Sequence, residues 1–242
     1  MTVGLIGFGR LGRLLTRHFS RDAKILVYDR KPDPNAVRAS GARPATLAEV
    51  CAQKVVVLCV PIAEFEGVAR RISRLLRKDA VVVDTCSVKE HPVRAMRRLL
   101  PRGVSLLATH PNFGPDSAAD SLTGRQIVLC RVRMKDADYR RAKRTLRRKG
   151  LSVVEMTPRE HDRRMARSLA LTHFIGRSLV AYGAKTTGVD TEGYKRLLRI
   201  LETVSNDTWQ LFSDMNRFNA FAAPMRRRLL TAMRATDRRV RR

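Results

Sequence analysis

An imidazole stands at the end of one apolar run in this chain. His110 follows Leu106-Leu107-Ala108-Thr109 and is itself followed by Pro111-Asn112-Phe113-Gly114-Pro115. Histidine titrates near neutrality, so it can take up or release a proton at working pH. Two prolines and a glycine directly after it stop the chain from continuing as strand or helix, which predicts that the side chain is held where a strand runs out. In an open α/β sheet that position is the rim of the ligand crevice. Ser87 has a comparable place, in the loop Thr85-Cys86-Ser87-Val88-Lys89-Glu90 behind the run Ala80-Val81-Val82-Val83-Asp84. With Glu90 three residues on, Ser87 has the form of a helix capping box. A hydroxyl at a strand end also lies within reach of the crevice, so a role in chemistry stays open beside capping.

The second group of residues has phosphate chemistry. Val3-Gly4-Leu5-Ile6 runs into Gly7-Phe8-Gly9-Arg10-Leu11-Gly12, and apolar residues then recur at helical spacing through Leu14, Leu15 and Phe19. The first glycine permits a tight turn, the second lets backbone approach a pyrophosphate, and the third lets the helix pack on the strand. A second strand, Lys24 to Tyr28, ends in Asp29 at the spacing expected for a residue that binds the ribose of a dinucleotide. Asp29 favours NAD, whereas Arg30 and Lys31 would attract the 2′-phosphate of NADP; the reading leans to NAD. Val60 and Pro61, at the end of the run Val55 to Val60, complete the expected cofactor-binding set with Gly7, Phe8, Gly9, Arg10, Leu11, Gly12, Asp29 and Arg30.

These residues require a parallel sheet to position them. Val55 to Val60 is apolar throughout, the habit of a strand covered on both faces. Further strands are expected at Ala80–Val83, Val104–Ala108, Gln126–Leu129 and Leu151–Glu155, with helices at Leu47–Cys51, Phe65–Leu76 and about Asp138–Lys149. From Thr157-Pro158-Arg159-Glu160, which has the form of an N-cap followed by proline and glutamate, the pattern becomes helical. On that helix His161, Met165, Ser168 and Thr172 form one mixed stripe. Helices follow from Glu192 to Val204, from Asp207 toward Phe221, and from Arg226 to Arg242. The expected organisation is a Rossmann-type doubly wound α/β domain over 1–157 and an all-α domain over 158–242. Such a helical unit buries little by itself, so docking on the sheet domain, a homodimer through the helical unit, or both are expected.

Composition narrows the function classes. The chain has 242 residues, of which 49 are Lys or Arg and 22 are Asp or Glu, giving a formal charge of +27. A field of that size draws anions. The cations are spread over every expected helix and aromatic residues make up 5%, which gives little to stack on bases, so a small anionic substrate is expected rather than nucleic acid. Four scattered cysteines, Cys51, Cys59, Cys86 and Cys130, predict reduced thiols and no metal site. Without an apolar run long enough to span a bilayer, the expected location is cytoplasmic.

Taken together, Gly7-Phe8-Gly9, Ser87-Val88-Lys89-Glu90, Thr109-His110-Pro111 with Phe113-Gly114-Pro115, Glu160-His161-Asp162, Leu171-Thr172-His173 and Thr191-Glu192-Gly193-Tyr194 resemble the prephenate/arogenate dehydrogenase family, and within it the plant-type arogenate branch. The resemblance implies oxidative decarboxylation of a cyclohexadienol on the route to tyrosine, with a nicotinamide coenzyme accepting hydride. It implies His110 as general base and Ser87 as the group that holds it. Lys89, His173, Tyr194, and Lys195 or Arg196 are the implied substrate contacts, a cation being needed for the carboxylates. Asn112 and Leu169 stand where the family commonly has methionine and glutamine. The rival readings are another small NAD(P)-dependent reductase and a cofactor-sensing or nucleic-acid-binding protein on the same scaffold.

Overall fold

A computed structural model describes residues 1–241. They divide into two compact units, Met1–His161 and a second that begins at Asp162.

Among the described residues, the first unit builds one eight-stranded sheet: β1 (Thr2–Ile6), β2 (Lys24–Tyr28), β3 (Arg43–Pro44), β4 (Val55–Leu58), β5 (Val81–Asp84), β6 (Ser105–Pro111), β7 (Gln126–Arg133) and β8 (Ser152–Glu155). Their order is β3-β2-β1-β4-β5-β6-β7-β8. Neighbours are parallel except β6 and β7, which run antiparallel. The order reverses between β1 and β4, so a ligand crevice opens beyond the carboxyl ends of those two strands. The connecting helices are α1 (Arg10–Phe19), α2 (Pro34–Ala39), α3 (Leu47–Cys51), α4 (Phe65–Ile72), α5 (Glu90–Leu99), α6 (Pro115–Ala118) and α7 (Asp136–Arg148). Leu14 of α1, Leu107, Leu129 and Tyr139 of α7 share one buried cluster, and Leu5, Phe8, Ile25, Val27 and Val37 form a second. Gly150, at φ +79°, ends the basic helix where expected.

Two expectations at the strand ends change. The run Val55 to Val60 leaves the sheet after Leu58, although the Cys59 amide still donates to Ile6 O at 2.8 Å. Conversely, β6 continues through His110 and Pro111, because antiparallel β7 supplies the partners Val128 and Ile127. Pairing with β5 stops at Ala108, so Pro111 lies where β6 has a neighbour on one side only and a missing amide is tolerated.

The helical segments begin with α8 (Pro158–Met165), where the Glu160 amide donates to Thr157 Oγ1 at 3.2 Å. A π-helical stretch, Ala166–Ala170, leads into α9 (Leu171–Tyr182), which stops at Gly183 in the left-handed region. The buried positions of the second unit here are Asp162, Ala166, Ala170, His173 and Gly176, while Ser168 is exposed. The mixed stripe expected through His161, Met165, Ser168 and Thr172 runs from buried His161 to exposed Ser168, with Met165 and Thr172 between; the widened turn alters the phase that a uniform 3.6-residue repeat assumes. Gly176 lets α10 (Glu192–Ser205) approach, since a Cβ there would lie 2.8 Å from Val204 Cγ1. The unit is completed by α11 (Trp209–Arg217) and α12 (Ala222–Val240). No helix of the described residues is long and apolar enough to cross a membrane.

Candidate active site

The glycine turn has the geometry its sequence predicts. Gly7 has φ +98°, and a Cβ there would meet Cys59 O at 2.2 Å, with Val60 Cγ1 at 3.2 Å. A Cβ on Gly12 would lie 2.2 Å from Gly7 O, so only glycine lets α1 sit this close to β1. Around Gly9 a Cβ would meet nothing within 4 Å, which leaves open space at the helix N-terminus, where amides attract phosphate. No side chain caps that terminus. Asp29 receives the Phe8 amide at 2.7 Å and the Lys31 amide at 2.8 Å. Its carboxylate thus ties the end of β2 to the turn. Arg30 reaches Glu64 at 3.3 Å, and Arg10 forms a two-pronged bridge to Asp116. A cavity of about 470 Å³ beside Asp29 is walled by Pro32, Pro34, Val37 and Leu47. These features fit a dinucleotide, with its pyrophosphate at Gly9.

His110 lies farther along the same sheet edge and is 6% exposed. Its Nδ1 is 2.8 Å from Nε2 of His161, and the rings meet edge to face. Burial, then the nearby His161 and Lys89, push the His110 pKa well below 6.5. Burial and Lys89 push His161 down to about 3. Both rings are neutral at pH 7, so their contact shares one proton between the two facing nitrogens.

Beneath them lies a brace. Lys89 and Asp84 are fully buried and paired, and the Lys89 ammonium also donates to Thr109 O. Thr109 Oγ1 donates to Asp84 O at 2.7 Å, and the Cys86 amide donates to Asp84 Oδ1 at 2.8 Å. Burial raises the Asp84 carboxyl, and Lys89 opposes that rise. The residue preceding His110 is thereby fixed to the end of β5.

Several expectations for this region are corrected. Ser87 does not cap a helix: α5 starts at Glu90 with Lys89 at its N-cap, because Lys89 is drawn inward to Asp84. The Ser87 hydroxyl is buried with no hydrogen-bond partner among the described residues, and the group in contact with the His110 ring is His161. Lys89, expected at the substrate, directs its ammonium into the protein. His161 was legible only as part of the Glu160-His161-Asp162 motif, and the brace only as a lysine five residues after a strand-ending aspartate.

In the helical unit His173 is buried, with Nε2 3.6 Å from Asp207 Oδ2. Burial lowers its pKa, Asp207 raises it and Arg177 lowers it. Tyr194 donates its hydroxyl to Lys185 O at 2.9 Å. Lys195 forms an exposed pair with Glu192 at 2.7 Å, and Arg196 is exposed. All four cysteines are free.

A family model described as prephenate dehydrogenase, nucleotide-binding domain, matches residues 12–155, and one described as TYRAAT1-like, C-terminal domain, matches residues 178–242. The chain is 33% identical over 240 residues to arogenate dehydrogenase 2, chloroplastic, of Arabidopsis thaliana, covering 95% of this chain and 67% of that protein. With arogenate dehydrogenase 1, chloroplastic, of the same plant it shares 29% identity over 229 residues, covering 90% of this chain and 36% of that protein. Its fold matches the crystal structure of prephenate dehydrogenase from A. aeolicus in complex with hydroxyphenyl propionate and NAD+, with a TM-score of 0.79 at 20% identity over 99% of this chain and 90% of that one. A glycine turn built for a dinucleotide, an imidazole at the same sheet edge and these matches together make the chain an oxidoreductase that belongs to the prephenate dehydrogenase family.

Proposed function

We propose that the protein catalyses NAD(P)-dependent oxidative decarboxylation of prephenate or arogenate, with His110 as general base. The observation that carries this reading is the 2.8 Å contact between His110 Nδ1 and His161 Nε2. When His110 Nδ1–H donates to His161, His110 Nε2 keeps a lone pair and accepts the proton of the substrate's ring hydroxyl. The depressed His110 pKa keeps that nitrogen unprotonated at working pH. A nicotinamide held at the glycine turn would supply the hydride acceptor for the carbinol carbon, and the ring carboxylate would be lost as carbon dioxide as the ring becomes aromatic. His161 is a positioning residue, selecting the His110 tautomer that can act as base.

Asp29 supports NAD, since its carboxylate would accept the ribose hydroxyls and repel a 2′-phosphate, while Arg30 is engaged by Glu64. Lys195 or Arg196, next to Tyr194 in the chain, is the cation proposed for the substrate carboxylate. Exposed apolar side chains on that unit, Tyr182 at 84%, Trp209 at 65% and Met233 at 58%, support a homodimer through it. Free cysteines support a reducing, cytoplasmic setting.

The test is to supply the purified protein with prephenate or arogenate and with NAD or NADP, and to follow the reduced-nicotinamide absorbance. His110→Asn is expected to lose about 10²- to 10⁴-fold in turnover while still binding coenzyme. Near-normal turnover in that variant would remove His110 from the mechanism.

A further inference from the structure

The formal charge of +27 is not used up by a dinucleotide and a small acid. One part of it is gathered in a cleft. A cavity of about 580 Å³ lies between α5 and the first turn of α8, lined by Arg94, Arg97, Arg98 and Arg159 with a single acidic residue, Glu90. Arg98 is paired with Glu66, whereas neither Arg94 nor Arg97 has an acidic partner among the described residues. The charges of Arg97 and Arg102 both act on a third guanidinium, that of Arg133. Arg133 is already committed to the carbonyls of Val104 and Pro101, and burial together with repulsion from Arg97 and Arg102 lowers its pKa. Like charges held this close are unfavourable until an anion is placed among them. The apolar walls, Val93 and Pro158, are small, and no aromatic ring lines the space. A base-stacking platform is therefore missing, and the match is to charge alone.

We infer that this cleft binds a small polyanion carrying two or more phosphate groups, held by Arg94 and Arg97. Guanidiniums suit such a ligand because each presents two parallel donors to phosphate oxygens. The place is also connected to the imidazole pair. Helix α5 follows directly on Lys89, which holds Thr109, and Arg159 lies two residues before His161, which holds His110. An occupant that draws α5 and the first turn of α8 together bears on both supports of His110, so binding is expected to change the rate as well as the stability.

The experiment is isothermal titration of the full chain with NAD saturating, so that the glycine turn is filled. One arm uses inorganic pyrophosphate and the other fructose 1,6-bisphosphate, which separates a bare phosphate chain from a phosphorylated metabolite. Saturable binding of either, one per chain, weakened about tenfold or more by Arg94→Ala/Arg97→Ala and unchanged by Arg227→Ala/Arg228→Ala on α12, is the expected result. Because heat is read rather than turnover, the result stands apart from the proposed reaction. Equal weakening by both pairs, loss of the heat when sodium chloride matches the ionic strength, or binding of single-stranded DNA but of neither small ligand, would each overturn the inference.

Discussion

The neutral imidazole pair makes a prediction about acid. His110 and His161 are folded with pKa values below those of free histidine, His161 near 3. In the unfolded chain both titrate near 6.5. Folding therefore excludes protons that the unfolded chain binds, and the stabilisation is complete above about pH 6.5 and drains as pH falls toward the folded values. His161, kept neutral, costs about 2 kcal/mol between pH 7 and pH 5 and His110 adds to the loss in the same direction, against a typical total of about 5–15 kcal/mol. Carboxylates titrate mostly below this window, and buried His173 adds in the same direction. Urea unfolding followed by far-UV circular dichroism at pH 7, 6 and 5 measures the loss. His161→Asn removes one titrating ring and should reduce the difference between pH 7 and pH 5 by about 2 kcal/mol. A wild-type change below about 1 kcal/mol over that range would mean that the rings take up protons in the folded state, and the assignment of a neutral base would fall with it.

The brace beneath His110 should show the asymmetry of a buried ion pair. Lys89→Met alone is expected to cost about 3–5 kcal/mol by leaving the Asp84 carboxylate uncompensated, and Asp84→Asn/Lys89→Met to recover at least half, read by thermal and urea unfolding; equal losses would mean that packing, not charge, dominates there. The glycines should separate coenzyme binding from folding. Gly9→Ala, whose Cβ meets no protein atom, is expected to keep the melting temperature while weakening NADH binding about tenfold, whereas Gly12→Ala, whose Cβ meets Gly7 O at 2.2 Å, should lower both. Fluorescence titration with NADH alongside calorimetry would expose the opposite ordering. His161→Asn should lower kcat by about tenfold or more with little change in KM, a split that a general loss of packing would not produce.

Strands β1 and β2 were legible because they are written in local signals, an apolar run, glycines at fixed offsets, a helical repeat and an aspartate at the next strand's end, whereas the two-residue β3 carries none. Pairing direction is not local. Nothing in Gln126 to Arg133 says that it runs against β6, and that direction is what carries β6 through His110 and Pro111 where the prolines suggested an end. The Ser87–Glu90 spacing matched a cap, yet the pull of Asp84 on Lys89 decided where α5 begins. The partner of His110 escaped notice as a partner because it is 51 residues away in the chain. Helical content after Thr157 was clear from caps and spacing, while the π-helical stretch at Ala166–Ala170 has no local signal that marks it.

His110 belongs to the pleated ladder, with Val128 across from it, and not to a connecting loop. A side chain rooted this way has its α-carbon anchored on the slow clock of sheet opening, where backbone amides exchange with solvent only when the strands part. Loops fluctuate orders of magnitude faster. Whatever ligand arrives then meets an imidazole already in register, and faster rearrangements fall to other parts of the molecule.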